Sequence, residues 1–536
     1  MIIRKSLRVG VLLVGLLFGS LACSFGGVIP APGASPAGIN PGAATEAPAL
    51  TPSATLPPAA TDLPATATPL DEGWDDRSIY SAGLAPDEQK WLGELKGASV
   101  YHLEIQIADD ALSLQGRERV RYTNRASVAL DAIYFQLFPN MEGGKSEVSG
   151  VLVDGKAAQA ALDADLSSLA VPLPTPLQPG QSTFLQLDFQ VEVPTGTGGN
   201  YGLFAFSKDI LVLDGFYPAI PVYDAQGWHH GPLPANADTT FQDASFYLVR
   251  VRAPDTLILA ASGNQVDRAL EGSQQVVTFA AGPARDFYLA GSEYFVEMSR
   301  TVAGTQVNVY TLPGQTDGTN LALDTAAAAL AGYSKRIGSY PYSEFDLVST
   351  PMQGAFGIEY PGIVGINLDL FDLTQKVNGV PAPSYLEGTV AHEVGHQWFY
   401  NVVGNDQHKD PWLDEALTQY ITGTYYLDRY GSAAFSSYRE SWTARWERVD
   451  RALIPIGLPA ASYQDREYGA IVYGRGPLFF EALAKQMGQP VFDEFLRDYF
   501  QVYHWGIATP AGFQQLAEKH CSCDLKSIFA EWVYPK

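Results

Sequence analysis

Cysteine is nearly missing from this chain, with three in 536 residues. That excludes a disulfide-stapled scaffold and leaves stability to apolar cores, for which 46% hydrophobic and 12% aromatic residues are ample. Positive charge is also short: 34 Lys and Arg stand against 58 Asp and Glu, for a formal net charge of -24. The two signs are interspersed rather than blocked, which describes an acidic, hydrated surface and excludes a nucleic-acid footprint. The apolar run at residues 9–18 is too short to span a membrane comfortably. Histidine is the last scarcity, eight in all, so any clustering of histidines carries information.

What opens the chain is "MIIRKSLRVGVLLVGLLFGSLAC", with Arg4, Lys5 and Arg8 ahead of the apolar run, then small residues, then Cys23. This is the pattern of a secretory signal over residues 1–23. Cys23 resembles the lipidated cysteine of bacterial lipoproteins, with Ser20 where that group usually carries Leu. The resemblance implies an exported protein, held by a lipid on Cys23 to the outer face of a bacterial cell membrane. Residues 28–69 are mostly Pro, Ala, Thr, Gly and Ser, without an aromatic, Lys or Arg. Such a segment buries too little apolar surface to offset its ordering entropy, so residues 24–75 are expected to form a disordered, extended tether.

From 76 to 300 the pattern has period two. "YHLEIQI" alternates Leu103, Ile105 and Ile107, and "AIYFQLFPN", "FYLVRVRAP" and "VVTFAAG" are further aromatic and β-branched runs between turn residues. An all-β domain, a sandwich or saddle-shaped sheet, is expected there. Near Thr301 the pattern changes. "LALDTAAAALAGYSKRIGSYP" predicts a helix ended by Gly338 and Pro341, and "EFDLVSTP" a strand. "APSYLEGTVAHEVGHQWFY" predicts a second helix in which Ser384 and Glu387 have capping-box spacing behind Pro383. Residues 301–536 therefore read as a mixed, mainly helical domain.

The second helix holds His392 and His396, four apart and so on one face, with Glu393 between them. This H-E-x-x-H pattern lets two imidazoles reach one zinc while the glutamate acts as a general base. A catalytic zinc needs a third protein ligand and an open position. Glu415, in "DPWLDEALTQY", follows His396 by nineteen positions behind Pro411, where a short loop and an antiparallel return bring its carboxylate back.

"HEVGHQWFYNVV" followed by "WLDEALTQY" resembles the membrane alanyl aminopeptidase family of gluzincin metallopeptidases, which includes aminopeptidase N and leukotriene hydrolase. The resemblance implies a thermolysin-like catalytic domain behind the all-β one, and one zinc ion on His392, His396 and Glu415, with Glu393 as base. "YGAIVYGRGPLFFEAL" is similar to the family's Tyr-x-Lys-Gly segment with Arg475 for the lysine, which makes Tyr473 the implied oxyanion donor and Tyr468 its rival. The family's Gly-x-Met-Glu-Asn strand corresponds to "MQGAFGIEYPGIV", where Glu359 keeps the amine-binding carboxylate while Phe356, Ile358 and Tyr360 replace Gly, Met and Asn. Glu359, Gly354 and Ala355 are the implied substrate-binding residues. A second amine-binding group is expected in "GFYPAIPVYDAQGWHHG", where Asp224, Gln226, His229 and His230 could line a cleft, although the adjacent histidines suit a loop surface better than a second metal.

The expected function is a zinc metallopeptidase acting on peptides, an aminopeptidase by its Glu359. Two alternatives remain open: an endopeptidase or other zinc hydrolase on the same scaffold, and a catalytically inactive surface-binding lipoprotein. Cys521 and Cys523 are separated by one residue, a spacing at which a bridge is strained and zinc binding with His520 lacks a second ligand pair, so a structural role is expected. None of these motifs encodes oligomeric state.

Overall fold

The computed structural model describes residue 70 and residues 73–535, except 198–200, 235, 237, 240 and 378. The leader, Cys23 and most of the tether lie outside the described residues.

The amino-terminal half is built on an eight-stranded sheet, in the order Asn264–Glu271, Gln274–Ala284, Ser245–Pro254, Val100–Ile107, Ser113–Thr123, Ser182–Glu192, Lys145–Val153 and Lys156–Ala157. Its pairs are antiparallel save that of Val100–Ile107 with Ser245–Pro254. Leu103, Ile105 and Ile107 are buried as their alternation predicts and pack with Ile133 and Phe135, which come from a facing sheet of Leu130–Gln136, Ser168–Leu177 and Ala161–Leu162. The opposite face is covered too. Leu70, Tyr80 and Ala98 pack on Val100, Phe246 and Leu248, and Trp74 stacks on His102 with ring centroids 4.1 Å apart. Leu70 and Trp74, which fall within the expected tether, are thus placed against this face, and the Leu70 N–H donates to Glu104 at 3.2 Å. A strand face covered by apolar side chains binds this segment where its composition alone predicts none.

The carboxy-terminal half opens with a five-stranded sheet ordered Val296–Val302, Thr305–Thr311, Glu344–Thr350, Ile363–Asn367 and Gly357–Tyr360. The three inner strands are parallel and the two edges antiparallel. Val296–Val302 already belongs to this sheet, so the architecture changes a few residues before 301. The helix Thr316–Arg336 packs on the sheet with ten buried positions and on the helix Ala382–Gly395, where the Tyr333 hydroxyl donates to the Ala391 carbonyl at 2.8 Å. Helices complete the half to its end. Behind the edge strand Gly357–Tyr360, Ile358 and Tyr360 share a core with Ile210, Val212, Tyr288 and Ala290 of the β domain, and the Tyr288 and Tyr360 rings stack at 4.0 Å. The edge strand is thus wedged between the two halves. Among the described residues no helix is long and apolar enough to cross a membrane.

Candidate active site

The helix Ala382–Gly395 starts behind Pro381, earlier than its spacing predicts, and the capping box does not form. Glu387 instead accepts the hydroxyls of Tyr425 and Tyr430 at 2.8 and 2.6 Å, and Ser384 lines a cavity. Two phenols donating from the neighbouring helix outcompete one backbone amide for that carboxylate.

At the far end of this helix His392 and His396 project together, their Nε2 atoms 3.1 Å apart. Glu415 is the first residue of the helix Glu415–Tyr430, and the Asp414 carboxylate accepts its N–H at 2.7 Å. Its Oε2 stands 3.2 Å from His392 Nε2 and 3.3 Å from His396 Nε2. The antiparallel return is close because Gly395 presents no side chain: a Cβ there would sit 2.8 Å from Thr418 Cγ2. Ligand atoms at about 2.0–2.2 Å from a tetrahedral zinc stand roughly 3.3–3.6 Å from each other. The observed triangle, two neutral-capable imidazoles and a carboxylate, fits that ion. Electrostatics agrees with a cation site. Burial lowers His392 to about 4. Burial would raise Glu415, but the charge of His396 and hydrogen bonds from both imidazoles hold it well below the ordinary carboxylate range.

Glu393 lies directly against the edge strand. A Cβ on Gly357 would stand 2.4 Å from its Oε1, so the strand can approach only as glycine. Burial, with Glu415 and Asp238 nearby, pushes Glu393 up to about 8, where a group can take and return protons near neutrality. Glu359, two residues along the strand, points into the same cavity, with Oε1 3.6 Å from His396 Nδ1. Burial raises it well above its ordinary value.

The cavity holds about 120 Å³ and is lined by His392, His396, Glu415, Glu393, Glu359, Ala355, Tyr468 and Tyr473 among others. Gly354 lies outside that lining, at φ 86. Tyr473 sits on a single π-helical turn, Ile471–Arg475, of the kind that often marks functional positions. Its ring lies 5.9 Å from that of His392, while Tyr468 meets Tyr473 edge-on at 5.8 Å. Arg475, at the family's lysine position, turns away: its guanidinium donates to the carbonyls of Ile454, Trp532 and Glu531 at 2.9, 2.8 and 3.0 Å.

The sequence reading missed Asp238. It reaches the cavity from a β-domain loop without periodicity or motif, and burial beside Glu415 pushes it up to about 7. Gln407 donates to its Oδ2 at 3.2 Å. The residues expected in its place do not line the cavity. His229 contacts Asp224 at 2.8 Å and Asp406 at 3.5 Å, Gln226 accepts from Lys409 at 2.8 Å, and His230 stacks on Tyr134 at 4.3 Å. His229 and Gln226 thereby join the β domain to the loop before Glu415, while His230 stays within the β domain. Cys521 and Cys523 form a disulfide, and His520 bonds Asp498 at 2.9 Å rather than serving a second metal.

Residues 321–532 match the model of the peptidase family M1 domain. Among curated relatives, Aminopeptidase M1-B of Oryza sativa subsp. japonica is 23% identical over 302 residues, 54% of this chain and 34% of its own length. Probable aminopeptidase 2 of Sulfurisphaera tokodaii is 25% identical over 272 residues, covering 49% of this chain and 35% of its own. The chain spans about a third of the length of these relatives. The M1 zinc metallopeptidase of Deinococcus radiodurans superposes with a TM-score of 0.60 at 19% identity, covering 82% of this chain and 94% of that one, and shares the fold.

Proposed function

We propose that this chain, whose residues 321–532 match the peptidase family M1 domain, is a zinc-dependent aminopeptidase. The observation that carries the reading is the convergence of His392, His396 and Glu415 at 3.1–3.3 Å in a cavity that also receives Glu393, Glu359 and Asp238. His392, His396 and Glu415 would hold the ion, which when bound supplies a Lewis acid that activates water and polarises a carbonyl. Glu393 takes the proton of the attacking water and returns it to the leaving amine. The Tyr473 hydroxyl donates to the oxyanion from the wall beside His392 without adding a competing charge. Glu359 and Asp238 add two carboxyl groups to the cavity, remote in sequence but shared in space, able to give up their protons and accept from a substrate ammonium. Each charge-assisted contact of this kind is worth about 1.5–3 kcal/mol. Ala355 lines the same cavity, and Gly354 lies in the bend before the strand Gly357–Tyr360.

Turnover of an aminoacyl amide and of its N-acetylated counterpart, with and without a chelator, tests the reading. We expect the free amine to be cleaved and the blocked one spared, with the cleavage abolished by the chelator. Equal cleavage of the blocked compound would make the protein an endopeptidase or other zinc hydrolase, and zinc-free protein at neutral pH would favour a binding lipoprotein.

The leader and Cys23 support export and a lipid anchor at the outer face of a bacterial membrane. Cys23→Ala should move the protein from the membrane to the soluble fraction, and an unchanged distribution would remove the anchor.

A further inference from the structure

The turn that follows the H-E-x-x-H helix is held from outside. Tyr400 sits at φ 117, in the half of the map that a residue with a side chain rarely occupies. The consecutive carbonyls of Tyr400, Asn401 and Val402 all accept from one side chain of the β domain. Arg285 donates Nε to Tyr400 at 2.6 Å and to Asn401 at 2.8 Å, and Nη2 to Val402 at 3.2 Å. The same guanidinium reaches the carbonyls of Gln242 at 3.1 Å and Gly506 at 2.6 Å. It is 3% exposed, and a Cβ on Gly404 would stand 2.2 Å from its Cζ. Next in sequence, Asp286 accepts the Tyr400 hydroxyl. Two adjacent β-domain residues thus grip the backbone and the side chain of the strained position.

This turn in turn holds His396. The Phe399 carbonyl lies 3.1 Å from His396 Nδ1. A carbonyl can only accept, so Nδ1 carries a proton, which leaves Nε2 as the nitrogen that would serve an ion in the triangle with His392 and Glu415. The Asn401 N–H donates to the His396 carbonyl at 3.1 Å while its own carbonyl is gripped by Arg285.

We propose that Arg285 is a positioning residue for the metal centre: through the strained Tyr400 turn it sets the orientation of the His396 imidazole, so that the site is complete only while the β domain is docked. The inference rests on the zinc reading above. Lysine cannot replace it, because a single ammonium lacks the planar fork that reaches carbonyls on several sides at once. A purely structural bolt between the halves would weaken unfolding resistance and leave the ligand geometry of the folded protein alone.

Two readouts separate these roles: the rate at which the zinc-loaded protein yields its metal to a chelator, and the visible absorption bands of the cobalt-substituted protein. In Arg285→Lys we expect zinc loss faster by about tenfold and displaced cobalt bands, as for a disturbed outer-shell partner. Arg77→Lys is the control, since Arg77 donates to the carbonyls of Leu92 and Leu95, none of which lines the cavity, and should change neither. If Arg285→Lys does not fold, Tyr400→Phe, which removes only the hydroxyl on Asp286, decides by the same readouts. A folded variant with wild-type zinc release and cobalt spectrum overturns the inference while leaving the peptidase reading intact. Wild-type protein that takes up no zinc sinks both.

Discussion

Glu393 is held between a helix and a glycine, and that contact makes its position testable from both sides. Glu393→Gln keeps the size and removes the base, so turnover should fall about a thousandfold while zinc content, measured by atomic absorption, stays at the wild-type level. Retained activity would remove Glu393 from the mechanism. Gly357→Ala leaves the carboxylate in place chemically but adds a methyl 2.4 Å from its Oε1. The expected result is a lower kcat with zinc retained and about 1–3 kcal/mol lost from stability, the usual cost of overpacking. His392, Glu393, His396 and Glu415 were legible because their chemistry is written in spacing on neighbouring helices. Glu359 was legible only by resemblance. Asp238 was not legible at all, since one acidic residue in an aperiodic loop is indistinguishable from solvated surface until the fold carries it to the cavity.

At the scale of elements, the site depends on how closely three helices approach. Gly476 opens the helix Gly476–Met487, and a Cβ there would lie 2.4 Å from Ala416 Cβ, next to the ligand Glu415. Two effects compete in Gly476→Ala. Helix propensity gains about 1 kcal/mol, but the clash is with an atom on a rigid backbone and costs about 1–3 kcal/mol. The clash should win: calorimetry is expected to show a lower unfolding midpoint, and titration a weaker zinc affinity as the Glu415 helix is displaced. A variant at least as stable as wild type with unchanged affinity would show that these helices have slack. The π turn carrying Tyr473 belongs to this scale too. Resemblance singled out Tyr473 in the sequence, but no spacing there announced the π turn that carries it.

Across the whole molecule, the proposed zinc site ties metal binding to folding, because His392, His396 and Glu415 come from two helices braced by the β domain. Zinc present at about 1,000 times its dissociation constant stabilises by about 4 kcal/mol, so chelation should lower the unfolding midpoint of wild type and do less in His392→Ala. Protonation is coupled as well. Asp214 is buried in the β domain, accepts the Thr239 hydroxyl at 2.7 Å, and is raised by burial to about 7. Its folded pKa exceeds the unfolded one, so its contribution is full below about 4 and is lost as pH rises through 7. The midpoint of wild type relative to Asp214→Asn should therefore decline between pH 4 and 7, and a difference independent of pH would contradict the buried, protonated carboxyl. By itself the sequence determined the grouping of His392, Glu393, His396 and Glu415, the all-β half and the helical half, since each is a local pattern of period or spacing. Only the tertiary structure decided what surrounds them: Asp238 in the cavity, Arg285 on the Tyr400 turn, and Trp74 and Leu70 on the sheet. Those contacts join residues far apart in the chain, and no local pattern records which distant surfaces packing will bring together.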